Sequence, residues 1–131
     1  MKLSERQQIF TKNIASLIAY ADLLEIGLTF GDAYRSNSQM LLNFYGYEVV
    51  KGGVLGIKLV KSKKVSNTLN SYHAKRLAVD FNFFINGKLT YDKHKLAELG
   101  AFWEGLHPKN RWGGNFKSFK NGDTPHFEMM D

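Results

Sequence analysis

The sequence predicts an α+β fold, with an antiparallel sheet flanked by helices in one small domain of 131 residues. Two observations support this class. The first quarter of the chain has apolar residues at helical spacing, and the stretch 77–91 alternates apolar and polar residues in the manner of strands. One domain is expected for residues 1–131, because chains divide into several domains only well beyond about 250 residues.

The N-terminal segment, Leu3 to Ile26, is predicted to be a helix. Ser4 and Gln7 have the spacing of a capping box, and Gly27 is expected to end the helix. Apolar residues recur every three or four positions, so one helical face should be buried, and they are Ile9, Phe10, Ile14, Leu17, Ile18, Ala21 and Leu24.

Residues 28–66 give weaker signals. The chain is expected to be extended over 28–35 and to form a short helix over 38–44 that ends at Gly46. Further on, glycines predict turns, and lysines form a basic run at positions 58, 61, 63 and 64. A solvated loop or edge strand is the simpler interpretation of the lysines, and an anion-binding site is the alternative.

The second half of the chain has the clearest strand pattern. Apolar residues at 79, 81, 83 and 85 alternate with the residues at 78, 80, 82 and 84. Asn86-Gly87 fits a two-residue hairpin turn that leads to a returning strand over 88–91. A helix is predicted over 92–106, followed by a glycine-rich loop around Trp112 and a last strand over 126–130.

Composition excludes several kinds of chemistry. The chain has no cysteine, which excludes disulfides, thiolate zinc fingers, iron–sulfur clusters and cysteine nucleophiles. Eighteen Lys and Arg against twelve Asp and Glu give a net charge of +6, which favours an anionic partner. The first residues lack the apolar run of an export signal, so we expect synthesis in the cytoplasm as a soluble protein that does not insert into a membrane.

Asp80 is the unusual residue of the predicted strand, because a carboxylate between apolar neighbours is costly to bury unless it is paired or binds a metal. His73 precedes the strand and His126 begins the last one. These three could supply the ligands of a zinc site that keeps a fourth position for water. Asp123, three residues before His126, would then be placed to act as a general base.

A single histidine is more often an ordinary surface or core residue than a ligand. That interpretation is preferred for His94 and His107, which lie in or beside the predicted late helix. The Asp-Thr-Pro-His sequence at 123–126 could likewise be ordinary turn chemistry.

The wider sequence context favours the metal site. Residues 71–80 resemble the Ser-x-His-(six residues)-Asp motif of the D-alanyl-D-alanine carboxypeptidase family of zinc peptidases, which includes small phage L-alanyl-D-glutamate endopeptidases. Residues 112–114 and 123–127 resemble the Trp-Gly-Gly and Asp-x-x-His-Phe elements of that family, and Arg35 with Gln39 resembles its Arg…Gln element. The resemblance runs from about residue 34 to residue 128.

The resemblance implies a role for each matching residue. His73, Asp80 and His126 would bind one Zn²⁺ per chain. Asp123 would take a proton from the attacking water and later protonate the leaving amine, and Arg35 would stabilise the oxyanion. The implied fold is that of the D-Ala-D-Ala peptidases and the related hedgehog-type domains.

Four further residues are expected to support the site or contact substrate, and they are Gln39, Ser71, Trp112 and Glu128. Trp112 is either a wall of the substrate cleft or a core residue. Glu128 shares a strand face with His126, so it could orient that ligand or replace Asp123 as the base, although the family spacing favours Asp123. Arg76 stands where the family often has glycine, which questions the local shape of the loop.

The function implied is a zinc peptidase that cuts peptidoglycan stem peptides. A phage or prophage endolysin acting on the L-Ala–D-Glu bond is preferred. Such an enzyme would be a monomer that leaves the cytoplasm through a holin lesion. A D-alanyl-D-alanine carboxypeptidase is the alternative within the family, although it would normally need export.

Two alternatives come from other classes. The first is a nucleic-acid-binding module that uses the basic run with Phe81, Phe83 and Phe84 as stacking platforms, although no recognised motif accompanies the lysines and no nucleic-acid partner is expected. The second is a hedgehog-type domain that has lost its activity, which the presence of Asp123 and Arg35 argues against.

Overall fold

The computed structural model describes residues 1–66 and 68–131, and the α+β class predicted from the sequence is confirmed. Three helices and seven strands are formed by these residues. In chain order they are α1 Leu3–Leu23, β1 Gly27–Phe30, α2 Asn37–Tyr45, β2 Tyr47–Lys51, β3 Ile57–Lys61, β4 Ala78–Ile85, β5 Lys88–Thr90, α3 Lys93–Leu106, β6 Asn110–Trp112 and β7 His126–Met129. A 3₁₀ turn, Gly113–Asn115, follows β6.

Strand β4 is the centre of the main sheet. Its first part pairs with β7 and its second part with β1 and β5, all antiparallel, and β6 lies on the far side of β7. The predicted alternation is confirmed, since Val79, Phe81 and Phe83 are buried whereas Asp80 and Asn82 on the opposite face are half-buried. One face of β4 therefore belongs to the core and the other is available for a site.

The core lies between this sheet and helices α1 and α3. Phe10 of α1 meets Trp103 of α3 edge to face, with ring centroids 5.6 Å apart, and Trp103 meets Phe127 of β7 at 5.9 Å. Phe81 and Phe83 are fully buried in the same cluster. Bases cannot stack on these two buried rings, whereas Phe84, the third residue of the nucleic-acid alternative, is half-buried.

The end of α1 differs from the prediction. The helix stops at Leu23 rather than Ile26, because Glu25 adopts a left-handed conformation (φ 60°) and the Ile26 amide bonds back to the Ala21 carbonyl at 2.9 Å. Gly27 is not the helix stop, since it already pairs with Phe84 as the first residue of β1.

The start of α1 also differs from the prediction. Lys2 is the N-cap, and its amide donates to the Glu5 carboxylate at 2.7 Å. Ser4 and Gln7, the expected capping box, lie inside the first turns of the helix. Gln7 donates instead to the Lys75 carbonyl at 2.8 Å, which ties α1 to the segment before β4.

Two further segments differ from the prediction in extent. The strand expected over 28–35 ends at Phe30, and the chain then runs as a loop to α2. The segment assigned to a glycine-rich loop contains the short strand β6, which pairs with β7 through Trp112 and Phe127. Three residues are too few to give an alternating pattern, so this strand depends on its tertiary partner.

Helix α2 and strands β2 and β3 lie within residues 28–66, where the sequence signals are weak, and are described together. Ser36 caps α2 by accepting from the Gln39 amide at 3.1 Å, and Gly46 ends the helix in a left-handed conformation (φ 77°), as predicted. Strands β2 and β3 then form a two-stranded antiparallel sheet of their own. The edge-strand interpretation is correct for Lys58 and Lys61, which lie in β3.

Among the described residues, every helix is too short or too polar to cross a lipid bilayer.

Trp112 is a core residue, which settles the question left open by its sequence. Trp112 is 2% exposed, and its ring packs against two glycines. A Cβ added to Gly100 would lie 2.1 Å from the ring, and a Cβ added to Gly114 would lie 2.3 Å from it. Its indole nitrogen donates to the Thr124 carbonyl at 2.9 Å. The ring therefore fixes the loop that carries Asp123.

Gly100→Ala is expected to destabilise the protein by roughly 1–3 kcal/mol, because the added methyl overlaps the Trp112 ring inside a packed core. Gly105→Ala on the same helix is the matched control, since its Cβ meets nothing within 4 Å and should stabilise by about 0.5–1 kcal/mol. Urea unfolding of both variants measures the difference. Equal free energies of unfolding would contradict this account of Trp112 packing.

Candidate metal centre

Two strands place the central pair of the site. Asp80 of β4 and His126 of β7 lie directly opposite each other in the antiparallel register, on the face of the sheet that points away from the core. His126 Nδ1 is 3.1 Å from Asp80 Oδ1. The preceding pair, Val79 and Phe127, lies on the other face and is buried in the core. The packing of that pair therefore fixes the positions of Asp80 and His126.

His73 reaches the same point from a tight turn before β4. The turn closes through backbone hydrogen bonds from Ala74 to Ser71 and from Leu77 to Tyr72, at 3.1 and 2.9 Å. Ser71 Oγ also accepts from the His73 amide at 3.2 Å. Ser71 is expected to support the site, and this hydrogen bond to the His73 backbone is the contact through which it would do so.

The three side chains have the chemistry of a metal site. His73 Nε2 lies 3.4 Å from Asp80 Oδ1, and one ligand atom from each of His73, Asp80 and His126 lies within 4.8 Å of the others. Two ligands at about 2.0–2.1 Å from a tetrahedral zinc ion lie about 3.3 Å apart, which the observed separations of 3.1 and 3.4 Å match.

The outer nitrogens of both histidines are also engaged. His73 Nδ1 contacts the Ala33 carbonyl at 3.0 Å, and His126 Nε2 contacts Glu128 Oε2 at 2.6 Å. Partners of this kind fix the tautomer and ring orientation of metal-binding histidines and leave the inner nitrogen free to coordinate. The donor set and its surroundings therefore fit a metal ion.

The profile of a family described as D-alanyl-D-alanine carboxypeptidase matches residues 64–129 of the chain. The chain belongs to this family. The resemblance predicted from the sequence motifs is thereby confirmed. The matched region contains His73, Asp80, Asp123 and His126, whereas Arg35 lies before it.

Among solved structures, the crystal structure of the Serratia marcescens L-Ala D-Glu endopeptidase ChiX is similar in fold. The TM-score is 0.62 at 18% sequence identity, with 99% of this chain and 87% of that chain covered. Curated protein sequences give no match.

The charged side chains in this site shift one another's pKa values. Burial opposes the charged form of His126, but hydrogen bonds to Asp80 and Glu128 outweigh burial and raise the pKa to about 9. For Asp80, burial raises the pKa, but hydrogen bonds from His126 and His73 prevail and lower it well below its usual range. The carboxylate of Asp80 is therefore ionised at neutral pH, as a metal ligand must be.

Glu128 lies on the outer side of His126. It is buried, and it is paired with Arg111, whose Nε donates to Oε1 at 2.9 Å. Burial raises the pKa of Glu128, but the contacts with His126 and Arg111 lower this pKa by more than burial raises it, so the net shift is downward. This carboxylate is held between two partners, which suits orienting His126 rather than accepting a proton from water.

Asp123 lies in the cleft wall with the three candidate ligands His73, Asp80 and His126. Its amide donates to the Gly113 carbonyl at 2.6 Å and its carbonyl accepts from the His126 amide at 3.1 Å. The loop approaches Gly113 so closely that a Cβ there would lie 2.1 Å from the Asp123 carbonyl oxygen. Burial raises the pKa of Asp123 and the His126 charge opposes this, with a net upward shift, which makes the carboxylate a stronger base.

Arg35 is brought to the cleft from the loop after β1. Its amide donates to the His73 carbonyl at 3.3 Å, and its guanidinium pairs with Asp32 at 2.9 Å. Within the described part of the chain, the buried Nε of Arg35 has no hydrogen-bond partner. Gln39, four residues on, lies outside the cleft lining and donates to Asn43 at 2.6 Å, so the structure does not bring it to the site.

The cleft has a volume of about 620 Å³, and part of its wall was missed by sequence reasoning. The lining residues that were not singled out from the sequence are Val65, Ser66, Thr68, Asn70, Tyr72, Phe116 and Phe119. Both phenylalanines lie within seven residues of Trp112, the first residue of the Trp-Gly-Gly element. This closeness in sequence could have indicated that they line the cleft.

The backbone at Arg76 shows what shape the loop around His73 takes without the glycine that the family often has there. It adopts a left-handed conformation (φ 57°), the backbone geometry that glycine adopts without strain, and this explains why the family often has glycine there. Its guanidinium lies over the Tyr34 ring at 4.1 Å, a contact that glycine could not make. The loop thus keeps its shape without glycine.

Proposed function

We propose that this protein is a zinc peptidase that hydrolyses peptide bonds in peptidoglycan stem peptides, with residues 1–131 acting as one catalytic domain. The observation that best supports this function is the cluster of His73, Asp80 and His126 beside Asp123 in one cleft. Membership of the D-alanyl-D-alanine carboxypeptidase family supports a peptidase activity.

In this proposal His73, Asp80 and His126 hold one zinc ion. When bound there, zinc would polarise the scissile carbonyl and lower the pKa of a water molecule toward about 7. Asp123 takes the proton of the attacking water and passes it to the leaving amine. Arg35 directs its positive charge toward the oxygen that becomes negative in the transition state.

The bond between L-Ala and D-Glu is the preferred target. The solved protein ChiX, which is described as an L-Ala D-Glu endopeptidase, shares the fold over 99% of this chain. The second candidate is removal of the terminal D-Ala, because the matching family profile is described as D-alanyl-D-alanine carboxypeptidase.

Mass spectrometry of digested peptidoglycan separates the two candidates. Endopeptidase action should release peptides with a new D-Glu amino terminus, whereas carboxypeptidase action should shorten pentapeptide stems by one D-Ala. Unchanged stem peptides after incubation with zinc-loaded protein would contradict both.

Metal content tests the ligand assignment. Purified protein should contain about one zinc per chain, and His73→Ala should retain less than about a tenth of that, because a ligand is lost. His94→Ala is the matched control, since this histidine is exposed on α3 and should leave zinc binding unchanged. Elemental analysis after gel filtration measures the ratio. Equal zinc content in the two variants would rule out the proposed site.

We also propose that the protein is a monomeric phage or prophage endolysin that reaches the wall through a holin lesion. The net charge of +6 supports approach to an anionic envelope. Protein added to chloroform-treated Gram-negative cells should lower their turbidity. Intact cells under the same conditions should keep theirs, because their outer membrane blocks access.

A further inference from the structure

Strands β2 and β3 form a hairpin, residues 47–61, with an unusual outward face. Cross-strand partners share a face, and the pairs Tyr47–Lys61, Val49–Leu59 and Lys51–Ile57 all lie on the same side. The four apolar residues of these pairs are exposed, Ile57 to 62% and Leu59 to 58%. We call these six residues the outward face.

The tip of the hairpin extends the apolar surface. Val54 and Leu55, between β2 and β3, are 104% and 88% exposed. On the inner side of the hairpin, by contrast, Val50 and Val60 are half-buried. Exposed aliphatic residues that are continuous with one another mark a surface that interacts with an apolar partner.

The hairpin is anchored at its base. The Ser62 amide donates to the Gly46 carbonyl at 2.7 Å, and the Val65 amide donates to Asn43 of α2 at 3.0 Å. The chain then continues into the cleft wall at Lys64. The tip therefore projects from a fixed base beside the cleft.

The charges on the hairpin indicate the chemistry of the partner. Both charged residues of the outward face, Lys51 and Lys61, are positive. The charged residues of the inner side, Glu48 and Lys58, have opposite signs, and two more lysines, 63 and 64, follow β3. A second copy docked face to face would bring lysines against lysines, which is unfavourable. Aliphatic side chains also offer poor stacking surfaces for nucleic-acid bases. Apolar residues framed by lysines suit the interface of a bilayer that contains anionic lipid.

We propose that the β2–β3 hairpin docks the protein on the surface of an anionic phospholipid membrane. Val54 and Leu55 enter the boundary between headgroups and acyl chains, and the lysines contact lipid phosphates. This docking is interfacial and requires no spanning segment. It is independent of peptide hydrolysis, so its test needs no peptidoglycan.

Sedimentation with vesicles tests the proposal. The full-length protein should bind vesicles of phosphatidylcholine and phosphatidylglycerol (3:1) about tenfold or more tightly than vesicles of phosphatidylcholine alone. The double variant Val54→Ser/Leu55→Ser should weaken binding to the anionic vesicles about tenfold or more. Lys51→Gln/Lys61→Gln should weaken it similarly and reduce its dependence on salt.

Matched controls use exposed residues far from the hairpin. Leu23→Ser/Leu89→Ser removes apolar surface and Lys12→Gln/Lys93→Gln removes charge, and both should bind anionic vesicles as the unmodified protein does. Circular dichroism confirms that every variant is folded.

Three results would overturn the proposal. The first is equal binding to both vesicle types, and the second is unchanged binding by the tip variant. The third is self-association in vesicle-free solution that the tip variant abolishes, which would assign the surface to a second copy of the chain.

Discussion

Asp123→Asn is expected to lower the kcat of stem-peptide hydrolysis by about 10²–10⁴-fold, because the amide cannot take a proton from water. Zinc content should stay unchanged, since the three proposed ligand residues are intact. The fold should also persist, because the backbone hydrogen bonds of residue 123 to Gly113 and His126 do not involve the side chain. Hydrolysis of purified muropeptides, followed by chromatography, measures kcat for the zinc-loaded variant.

Two further variants sharpen this result. Asp22→Asn, an exposed carboxylate on α1, is the matched control and should leave kcat unchanged. Glu128→Gln should weaken zinc binding by about 10–100-fold but retain kcat at saturating zinc, because it alters only the outer partner of His126. If Glu128→Gln abolished turnover in the zinc-loaded enzyme while Asp123→Asn did not, the base would be Glu128.

The sequence predicted the cluster of His73, Asp80 and His126 from the strand pattern around Asp80 together with the family motifs that contain both histidines. Alternation along β4 places Asp80 on the face opposite the core, and the register with β7 brings His126 directly across from it. Which face of a strand a residue lies on follows from its spacing to neighbouring apolar residues in the sequence. The engagement of Glu128 by Arg111 was not predictable, because it depends on the pairing of β6 with β7.

Features that depend on tertiary contacts were missed or assigned wrongly. Gly27 has the sequence signature of a helix stop, but its pairing with Phe84 takes it into the sheet, and Glu25 ends the helix instead. Gln39 matches a family element by spacing, yet α2 directs it to Asn43 rather than into the cleft. Local sequence could not reveal either outcome, since both are decided by distant packing or by the orientation of a whole helix.

Arg35→Lys is expected to lower kcat by about 10²–10³-fold with little change in KM, if the guanidinium stabilises charge that develops only in the transition state. Lysine keeps the charge but loses the planar fork, and so cannot hold Asp32 and present a second donor in the same way. The Arg35 amide bond to the His73 carbonyl is a backbone contact, so the ligand loop should survive the substitution. Zinc content of the variant checks this directly.

Arg76→Lys provides the matched control for that variant. Arg76 also lies beside the ligand loop, but its guanidinium contacts the Tyr34 ring outside the cleft, so kcat should be unchanged. A rise in KM with normal kcat in Arg35→Lys would instead mean that Arg35 binds a carboxylate of the substrate in the ground state. The split between kcat and KM therefore decides at which stage of the reaction Arg35 acts.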